Sequence, residues 1–386
     1  MPPIYLVFAL AILNFATTQA SRVLLALYAL DFGAAPFAVG AISATYSAFP
    51  MLLAWVAGRI ADRHGSRWPL AVGALVCGCG MSVPYLAPGL PALFVAAALN
   101  GLSFTFYTVA LQNLVGIMGD ADGRARRYSN YAMVVSFASF LGPLISGFSI
   151  DHLGFATTCL LVAVLGLVPL ALLVSCGGML PGGRAAAGPA ESVRGILTDR
   201  AVRRILLTSS LVVTGTDIFQ FYLPIYGHAI GLSASSIGIV LAMFAAASVV
   251  VRFLLPWFLE RLSPEQMLSY SFCLGAASFF LLPFFDNAVT LSLISFLMGL
   301  GLGCGTPITL MLTYSQSPPG RSGEALGLRM TANHLARVIG PLVFGSIGSA
   351  FGLFPVFWIN GAMLASGGML SGRGAGLPRG ESSPRG

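Results

Sequence analysis

Charged side chains are scarce in this sequence. Asp, Glu, Lys and Arg make up 9% of its 386 residues, against about 25% in ordinary soluble domains. All 20 basic residues are arginine, and lysine does not occur. Hydrophobic residues account for 56%, and the mean hydropathy is +0.86. A soluble fold of this length could not bury so much apolar surface, so the composition predicts a membrane protein and argues against nucleic-acid binding despite the net charge of +7.

The sequence also lacks the motifs of metal and nucleotide sites. Its six cysteines lie in or beside apolar stretches without the spacing to histidine that zinc requires, so we expect small buried or lipid-facing residues. The glycine-rich run 299–305 follows no strand and lies in an apolar stretch, which favours close helix packing over phosphate binding. Without a Walker loop, zinc motif or nucleophile elbow, we expect no enzyme, no ATP-driven pump, no metal and no cofactor.

Twelve apolar stretches are long enough to cross a membrane as helices, which takes about 20 residues each. The first has no basic segment before it and is too long for a cleaved signal, so it counts as a span. The sequence therefore predicts an all-α membrane protein with twelve transmembrane helices. The stretches run near 4–30, 36–58, 69–87, 91–118, 127–150, 154–176, 204–230, 234–258, 266–285, 289–313, 324–350 and 353–371.

The chain is a tandem duplication. Residues 1–176, shifted by 198 positions, fall without gaps on residues 199–374, with Gly40 on Gly238 and Gly142-Pro143 on Gly340-Pro341. An even number of spans per copy gives both copies the same orientation, related by an axis along the membrane normal. The predicted domains are an N-terminal six-helix bundle (1–176), a cytoplasmic linker (177–203), a C-terminal six-helix bundle (204–371) and a disordered cytoplasmic tail (372–386).

The arginines outside the spans lie on alternate connections. They cluster after the second, fourth, sixth, eighth and tenth spans and in the tail, whereas the other connections hold Asp and His but no Arg. The positive-inside rule places the arginine-bearing connections in the cytoplasm. We therefore expect a multi-pass protein of the cytoplasmic (inner) membrane with both termini in the cytoplasm.

The connection after the second span carries a recognisable motif. It resembles the loop 2–3 signature of the major facilitator superfamily, with a decayed copy at Glu260-Arg261, and reads Gly58-Arg59-Ile60-Ala61-Asp62-Arg63-His64-Gly65-Ser66-Arg67. With the twelve spans, the repeat and the linker, the resemblance covers nearly the whole chain. It implies a drug- or metabolite-exporter-like transporter in which two bundles rock around one central cavity.

The resemblance also implies a cytoplasmic gate. Its residues would fasten the two bundles together when the cavity opens outward, an Asp at a helix start being favoured by the helix dipole. The alternative is a solvated loop whose arginines only set the topology. The gate set is Gly58, Asp62, Arg63, Gly65, Arg67, Glu260 and Arg261.

Two further positions bear on the mechanism. Gly142-Pro143 begins a partial copy of the fifth-span motif of exporters in this superfamily, and Gly340-Pro341 duplicates it. Proline removes a backbone donor and bends a helix, whereas helix packing alone is the other interpretation. Proton antiporters of the superfamily carry an Arg in the fourth span, where this chain has Ala97, so their proton mechanism is not carried over.

Four polar residues of the first and seventh spans form a repeated pattern. Gln19 and Arg22 are three residues apart on one helix face, and their repeat mates are Asp217 and Gln220. Ionisable residues inside a membrane are expensive and point to function. We predict that all four border the central cavity, that Arg22 and Asp217 pair across it, and that Asp217 carries the coupling proton. A static pair or helix–helix hydrogen bond is the alternative.

Other membrane-embedded polar residues extend this site. His334 and Arg337 lie on one face of the eleventh span, and with Arg22 they would give the cavity a positive field suited to an anionic substrate. Asn100 and Tyr107 in the fourth span are further candidates, either for substrate binding or for bonds between helices. Arg252, near the cytoplasmic end of its span, favours a gate or structural role.

We interpret the chain as a secondary active transporter of a small organic molecule, with proton-coupled export as the first hypothesis. Proton-coupled uptake of an organic anion or metabolite, or facilitated diffusion, remains open. From another class, a transporter-like sensor or scaffold would have a collapsed cavity or no coupling pair. We expect a monomer whose partners are its small-molecule substrate, protons and lipid, with no nucleic acid.

Overall fold

The computed structural model describes residues 3–118, 124–180, 200–316 and 322–372. Within these ranges there is no strand, and twelve α-helices follow one another. They are α1 (Pro3–Asp31), α2 (Pro36–His64), α3 (Arg67–Leu86), α4 (Leu90–Ile117), α5 (Arg124–Cys176), α6 (Arg200–Ala229), α7 (Ala234–Leu259), α8 (Pro264–Leu281), α9 (Ala288–Leu302), α10 (Gly305–Gln316), α11 (Ser322–Phe351) and α12 (Leu353–Gly372).

Two spans depart from the pattern of one helix per crossing. Helix α5 has 53 residues, about 80 Å at 1.5 Å per residue and enough for two crossings. It breaks at Gly154, whose φ of 77° favours glycine, so its two arms are separate spans. Conversely, α9 and α10 form one span interrupted at Gly303 and Cys304. Counted this way, the described helices make the twelve crossings that the sequence predicted.

The connection between the two halves differs slightly from the prediction. A short 3₁₀ helix, Gly177–Met179, continues from α5, and α6 begins at Arg200, so that it includes the last four residues of the predicted linker. Residues 181–199, the middle of the linker, lie outside the described residues. So does 373–386, nearly all of the predicted tail. The domain boundaries therefore stay a prediction in these segments.

The outer surface is apolar. Large hydrophobic side chains stand exposed along the helices, among them Leu86 at 77%, Val174 at 82% and Val289 at 77%. Exposed apolar side chains on helices that satisfy their own backbone hydrogen bonds are what a bilayer requires. The exposed apolar surface therefore agrees with the membrane protein that the composition predicts.

The two halves meet along two interfaces that the duplication relates. Helix α2 packs on α11, and α5 packs on α7. The 198-residue shift places α2 on α7 and the first arm of α5 on α11, so the second interface repeats the first. A Cβ added at Gly40 would lie 2.5 Å from the carbonyl oxygen of Pro341, and one added at Gly238 would lie 2.5 Å from that of Pro143. Only glycine permits backbones to approach this closely. The same contact therefore occurs twice, at positions 198 residues apart.

A second pair of repeated contacts closes the end of the bundle where α1 is followed by α2. Asp151 accepts hydrogen bonds from the backbone N–H groups of Ala234 (3.1 Å) and Ser235 (2.8 Å) at the start of α7. Its repeat mate Ser349 accepts one from the N–H of Phe37 (2.9 Å) at the start of α2. At this end each half thus caps a helix of the other, once with a carboxylate and once with a hydroxyl.

Candidate transport cavity

A cavity lies between the two halves and is bordered by α1, α2, α5, α6, α7 and α11. Most of its lining is apolar. All four members of the predicted quartet line it, together with Arg337 and the bend residues Pro143 and Pro341. The polar lining consists of Gln19, Arg22, Ser43, Tyr46, Ser47, Ser139, Asp217, Gln220 and Arg337.

Asp217 pairs with Arg337 and not with the predicted partner, Arg22. The guanidinium Nε of Arg337 donates to Oδ2 of Asp217 at 2.9 Å, and these side chains are 33% and 14% exposed. The physical reason is proximity, because α6 and α11 pack side by side in one half. Arg22 belongs to the other half and reaches the cavity from α1.

Arg22 has a different neighbour. Its guanidinium carbon lies 4.8 Å from the centre of the Tyr46 ring, a cation–π contact. Among the described residues no carboxylate pairs with it. The described part of the lining therefore contains two guanidinium groups and one carboxylate, an excess of one positive charge.

The two glutamines of the quartet meet across the cavity. The amide nitrogen of Gln19 lies 3.5 Å from the side-chain oxygen of Gln220, a long hydrogen bond between the halves. Weak cross-cavity bonds of this kind break readily when the halves separate or a ligand enters. The quartet thus contributes one amide from each half at the same depth.

Asn100 and Tyr107 do not line the cavity, and the structure corrects that prediction. Both face α3: Asn100 accepts from the thiol of Cys77 on α3 at 3.3 Å, and it donates to the carbonyl of Ala96, one turn earlier in α4, at 2.8 Å. Tyr107 is 1% exposed and packs against Gly73. With Ser103, these two residues form a polar stripe on one face of α4. The small residues of α3 make room for this stripe, so it joins two helices of one half.

His334 also lies off the lining, although Arg337, on the same helix, is part of it. Its Nδ1 is buried and has no hydrogen-bond partner within the described ranges. The contribution of His334 to the cavity therefore stays a prediction.

The sequence reading missed Arg329. This side chain is only 7% exposed and donates through Nη1 to Ser209 (3.2 Å) and Thr309 (3.4 Å). With Asn333 and Arg337 it forms a row at four-residue intervals along α11, a signal that spacing could have revealed.

Arg252 joins the two halves. From α7 it donates through Nε to the carbonyl of Gly303 at 3.1 Å, the carbonyl freed where α9 gives way to α10. Its Nη1 donates to the hydroxyl of Ser136 on α5, in the other half. Arg252 thus connects the two halves, a contact that is compatible with either predicted role, gate or structural support.

The predicted gate motif is described only in part. Arg67 donates to the carbonyls of Gly178 (3.1 Å) and Leu180 (2.6 Å) of its own half, so it fastens the end of α5 and not the opposite bundle. Gly65 ends α2 with a φ of 78°. The contacts of Gly58, and the side chains of Asp62 and Arg63, lie outside what the structure describes. In the second copy Glu260 is exposed, and Arg261 stacks 4.2 Å above Trp257.

The paired bend positions differ in their surroundings. Both α5 and α11 continue through their prolines. A Cβ on Gly142 would lie 2.5 Å from the Cβ of Gln19, whereas one on Gly340 would come no closer than 3.7 Å to Ile218. Gly142 therefore allows α5 to pack tightly against the cavity-lining part of α1, whereas the space beside Gly340 would accept a larger side chain.

Known proteins resemble this chain in sequence and in fold. An uncharacterized MFS-type transporter of Mycobacterium tuberculosis is 27% identical over 341 residues, 82% of this chain and 79% of that protein. The multidrug resistance protein MdtG of Klebsiella pneumoniae is 23% identical over 325 residues, 80% of this chain and 76% of that one. The multidrug efflux pump LfrA of Mycolicibacterium smegmatis is 24% identical over 353 residues, which are 76% of this chain and 70% of that protein.

Solved structures share the architecture at low identity. A peptide transporter POT mutant in complex with sulfate matches 97% of this chain and 94% of its own with a TM-score of 0.81 at 17% identity. A mutant of the nucleoside transporter NupG matches 96% of this chain and 99% of its own with a TM-score of 0.80 at 13% identity. These likenesses show the fold.

Twelve crossings in two similar halves, around a cavity that contains an ion pair, a further arginine and two glutamines, define the chain as a membrane transporter. The sequence profile of the Major Facilitator Superfamily matches it over residues 7–290 and again over 205–383, so the chain belongs to that superfamily. Its apolar helices and bacterial relatives make it a multi-pass inner-membrane protein. The predicted family and the all-α twelve-span fold are confirmed.

Proposed function

We propose that this transporter exports a small organic molecule by alternating access, coupled to protons through Asp217. The observation that carries the proposal is the Asp217–Arg337 ion pair inside the cavity. An isolated ionised carboxylate at membrane depth is expensive, but one beside a guanidinium is not. Binding of a proton at Asp217 therefore breaks its ion pair with Arg337, and release of the proton forms the pair again.

That contact reaches the interface between the halves. The ion pair joins α6 to α11, and α11 packs along α2 of the other half. When Asp217 takes up a proton, Arg337 loses its ionic partner and becomes available to substrate. Proton binding and substrate binding then act on the same helix, as coupling requires.

The export direction is supported by the relatives and by a motif. The names of two relatives describe multidrug resistance and multidrug efflux. The Gly142-Pro143 segment lies in the wall of the cavity, where Pro143 is part of the lining. We propose that it sets the shape of α5 during transport, with Gly340-Pro341 as its counterpart on α11.

Orientation and assembly complete the proposal. The arginine-bearing connections and both termini face the cytoplasm, as the positive-inside rule requires. At that face we propose that the carboxylate of Asp62 and its companions Gly58, Arg63, Gly65, Glu260 and Arg261 form the gate. Arg67 supports the gate by fixing the end of α5. Since one chain contains the whole cavity, a monomer suffices.

A second candidate is proton-coupled uptake of an organic anion. The observation that favours it is Arg22, which faces the cavity without a carboxylate partner among the described residues. The two candidates differ in whether proton and substrate cross in opposite directions or together.

The test is proton flux in proteoliposomes that contain a pH-sensitive dye. The parent, Asp217→Asn and the control Asp286→Asn, an exposed carboxylate in a connection, are challenged with the lipophilic cation tetraphenylphosphonium and with benzoate. We expect substrate-triggered proton movement in the parent and the control but not in Asp217→Asn. Movement of protons against substrate supports export, and movement with it supports uptake.

Two results would contradict the proposal. Substrate movement without proton movement in the parent would make the chain a facilitator. No movement of any probe would favour a sensor or scaffold.

A further inference from the structure

We propose that Arg22 anchors an anionic group of the substrate, and that the transported molecule is an organic anion with an apolar body. This inference rests on the proposed transport through the cavity and names its substrate class. It starts from the one guanidinium in the lining that has no ionic partner within the described part of the chain.

The position of Arg22 suits this task. Its guanidinium lies over the ring of Tyr46, a side chain that is itself 3% exposed and fixed in the packing of α2. A guanidinium held over a ring face keeps its N–H groups pointing outward in its own plane. Two parallel N–H groups match the two oxygens of a carboxylate. The Tyr46 ring therefore holds the guanidinium of Arg22 at the lining before any ligand arrives.

The charge of the cavity points the same way. Arg337 is neutralised by Asp217, whereas Arg22 is not neutralised by any described residue. An unpaired cation in a site of low dielectric is unfavourable until an anion joins it. One monoanion beside Arg22 would bring the excess charge of the lining from one to zero.

The rest of the lining defines the body of the molecule. Around Arg22 it is built mainly from aliphatic and aromatic side chains, among them Val23, Ile42, Phe221 and Leu241. Such surfaces bind apolar groups, while the few convergent polar groups set orientation. A carboxylate, sulfonate or comparable anionic group on a hydrocarbon skeleton satisfies both parts of the cavity.

The experiment measures binding to the purified full-length chain in lipid nanodiscs, without transport. Three acid–amide pairs are compared: benzoate with benzamide, 1-naphthoate with 1-naphthamide, and hexanoate with hexanamide. Each pair has one shape and differs in charge. The variants are Arg22→Gln, Arg22→Lys and the control Arg203→Gln, an exposed arginine at the start of α6.

We expect the parent to bind at least one acid more tightly than its amide, by about tenfold or more, the effect of a charged hydrogen bond. Arg22→Gln should erase this preference, Arg22→Lys should keep part of it, and Arg203→Gln should keep all of it. No acid preference in any pair for the parent, or an unchanged preference in Arg22→Gln, would overturn the inference.

The parent alone decides the question if Arg22→Gln does not fold, because the acid–amide comparison needs no variant. The outcomes also separate this inference from the proposed function. Acid binding through Arg22 without transport would contradict only the transport proposal. Proton-coupled transport of cations that ignores Arg22 would contradict only the substrate class.

Discussion

The membrane-embedded charges Arg22, Asp217, Arg252, Arg329 and Arg337 are held by three kinds of partner: an opposite charge, neutral oxygen atoms or an aromatic ring. Asp217 and Arg337 hold each other. Arg252 binds a carbonyl and a hydroxyl, and Arg329 binds two hydroxyls. Only Arg22 relies on an aromatic ring, a contact that leaves its hydrogen-bond donors available. This difference is why we assign binding to Arg22 and structural roles to Arg252 and Arg329.

The ion pair makes a prediction at the residue scale. Asp217→Asn or Arg337→Gln alone should destabilise the chain by about 1–2 kcal/mol, because each leaves a partly buried charge without its partner. The double variant should lose less than the sum of the two, since no unpaired charge remains. Thermal unfolding of all four proteins in one detergent measures the cycle. Additive losses would show that the two side chains do not interact.

The polar quartet could be predicted from the sequence, but its pairing could not. Three-residue spacing places Gln19 with Arg22 on one face, and the 198-residue shift finds Asp217 and Gln220. Which arginine pairs with Asp217 depends on how the helices pack. Helix α11, which contains Arg337, packs more extensively on α6 than does α1, which contains Arg22. Spacing along one helix contains no information about that packing.

At the scale of elements, the stripe Asn100–Ser103–Tyr107 shows a limit of periodicity. Its spacing correctly puts three polar side chains on one face of α4. That face turns to α3, where Ser103 donates to the carbonyl of Gly73 at 2.6 Å. A polar face in a membrane bundle can serve a cavity or a neighbouring helix equally well. Only the small residues opposite it on α3 indicate which.

The repeated Gly-Pro segments give a matched prediction for two helices. Gly142→Ala should destabilise the chain by about 1–3 kcal/mol and slow transport, because its Cβ would collide with Gln19 and the backbone of α1. Gly340→Ala should be neutral or slightly stabilising, since it has space and alanine favours a helix. Unfolding temperatures and transport rates of the two variants check this. Equal effects would mean that the close approach at Gly142 does not matter.

At the scale of the whole molecule, the duplication explains the interfaces. The approaches of Gly40 to Pro341 and of Gly238 to Pro143 are one contact made twice. Composition and the 198-residue repeat were sufficient to predict twelve crossings in two halves. They could not predict the closed end at Asp151 and Ser349, since a carboxylate and a hydroxyl there have no common sequence signal.

Charge in the cavity sets its affinity for anions. Asp217→Asn removes one negative charge from the lining and leaves Arg337 without its ionic partner. Asp217→Asn should therefore bind benzoate or 1-naphthoate more tightly than the parent does, whereas benzamide and 1-naphthamide should bind equally well to both proteins. Binding titrations of the two proteins at one pH measure this. An equal or weaker affinity for the acids in Asp217→Asn would contradict the account.

The central claim is that Asp217 couples proton movement to substrate movement. It is tested most directly by comparing concentrative transport with equilibrium exchange of one labelled substrate in proteoliposomes with the parent and Asp217→Asn. The account predicts that Asp217→Asn loses proton-driven accumulation but retains exchange, because exchange needs no change of protonation. Loss of both to the same degree would make Asp217 structural, and retention of accumulation would show that the proton travels elsewhere or not at all.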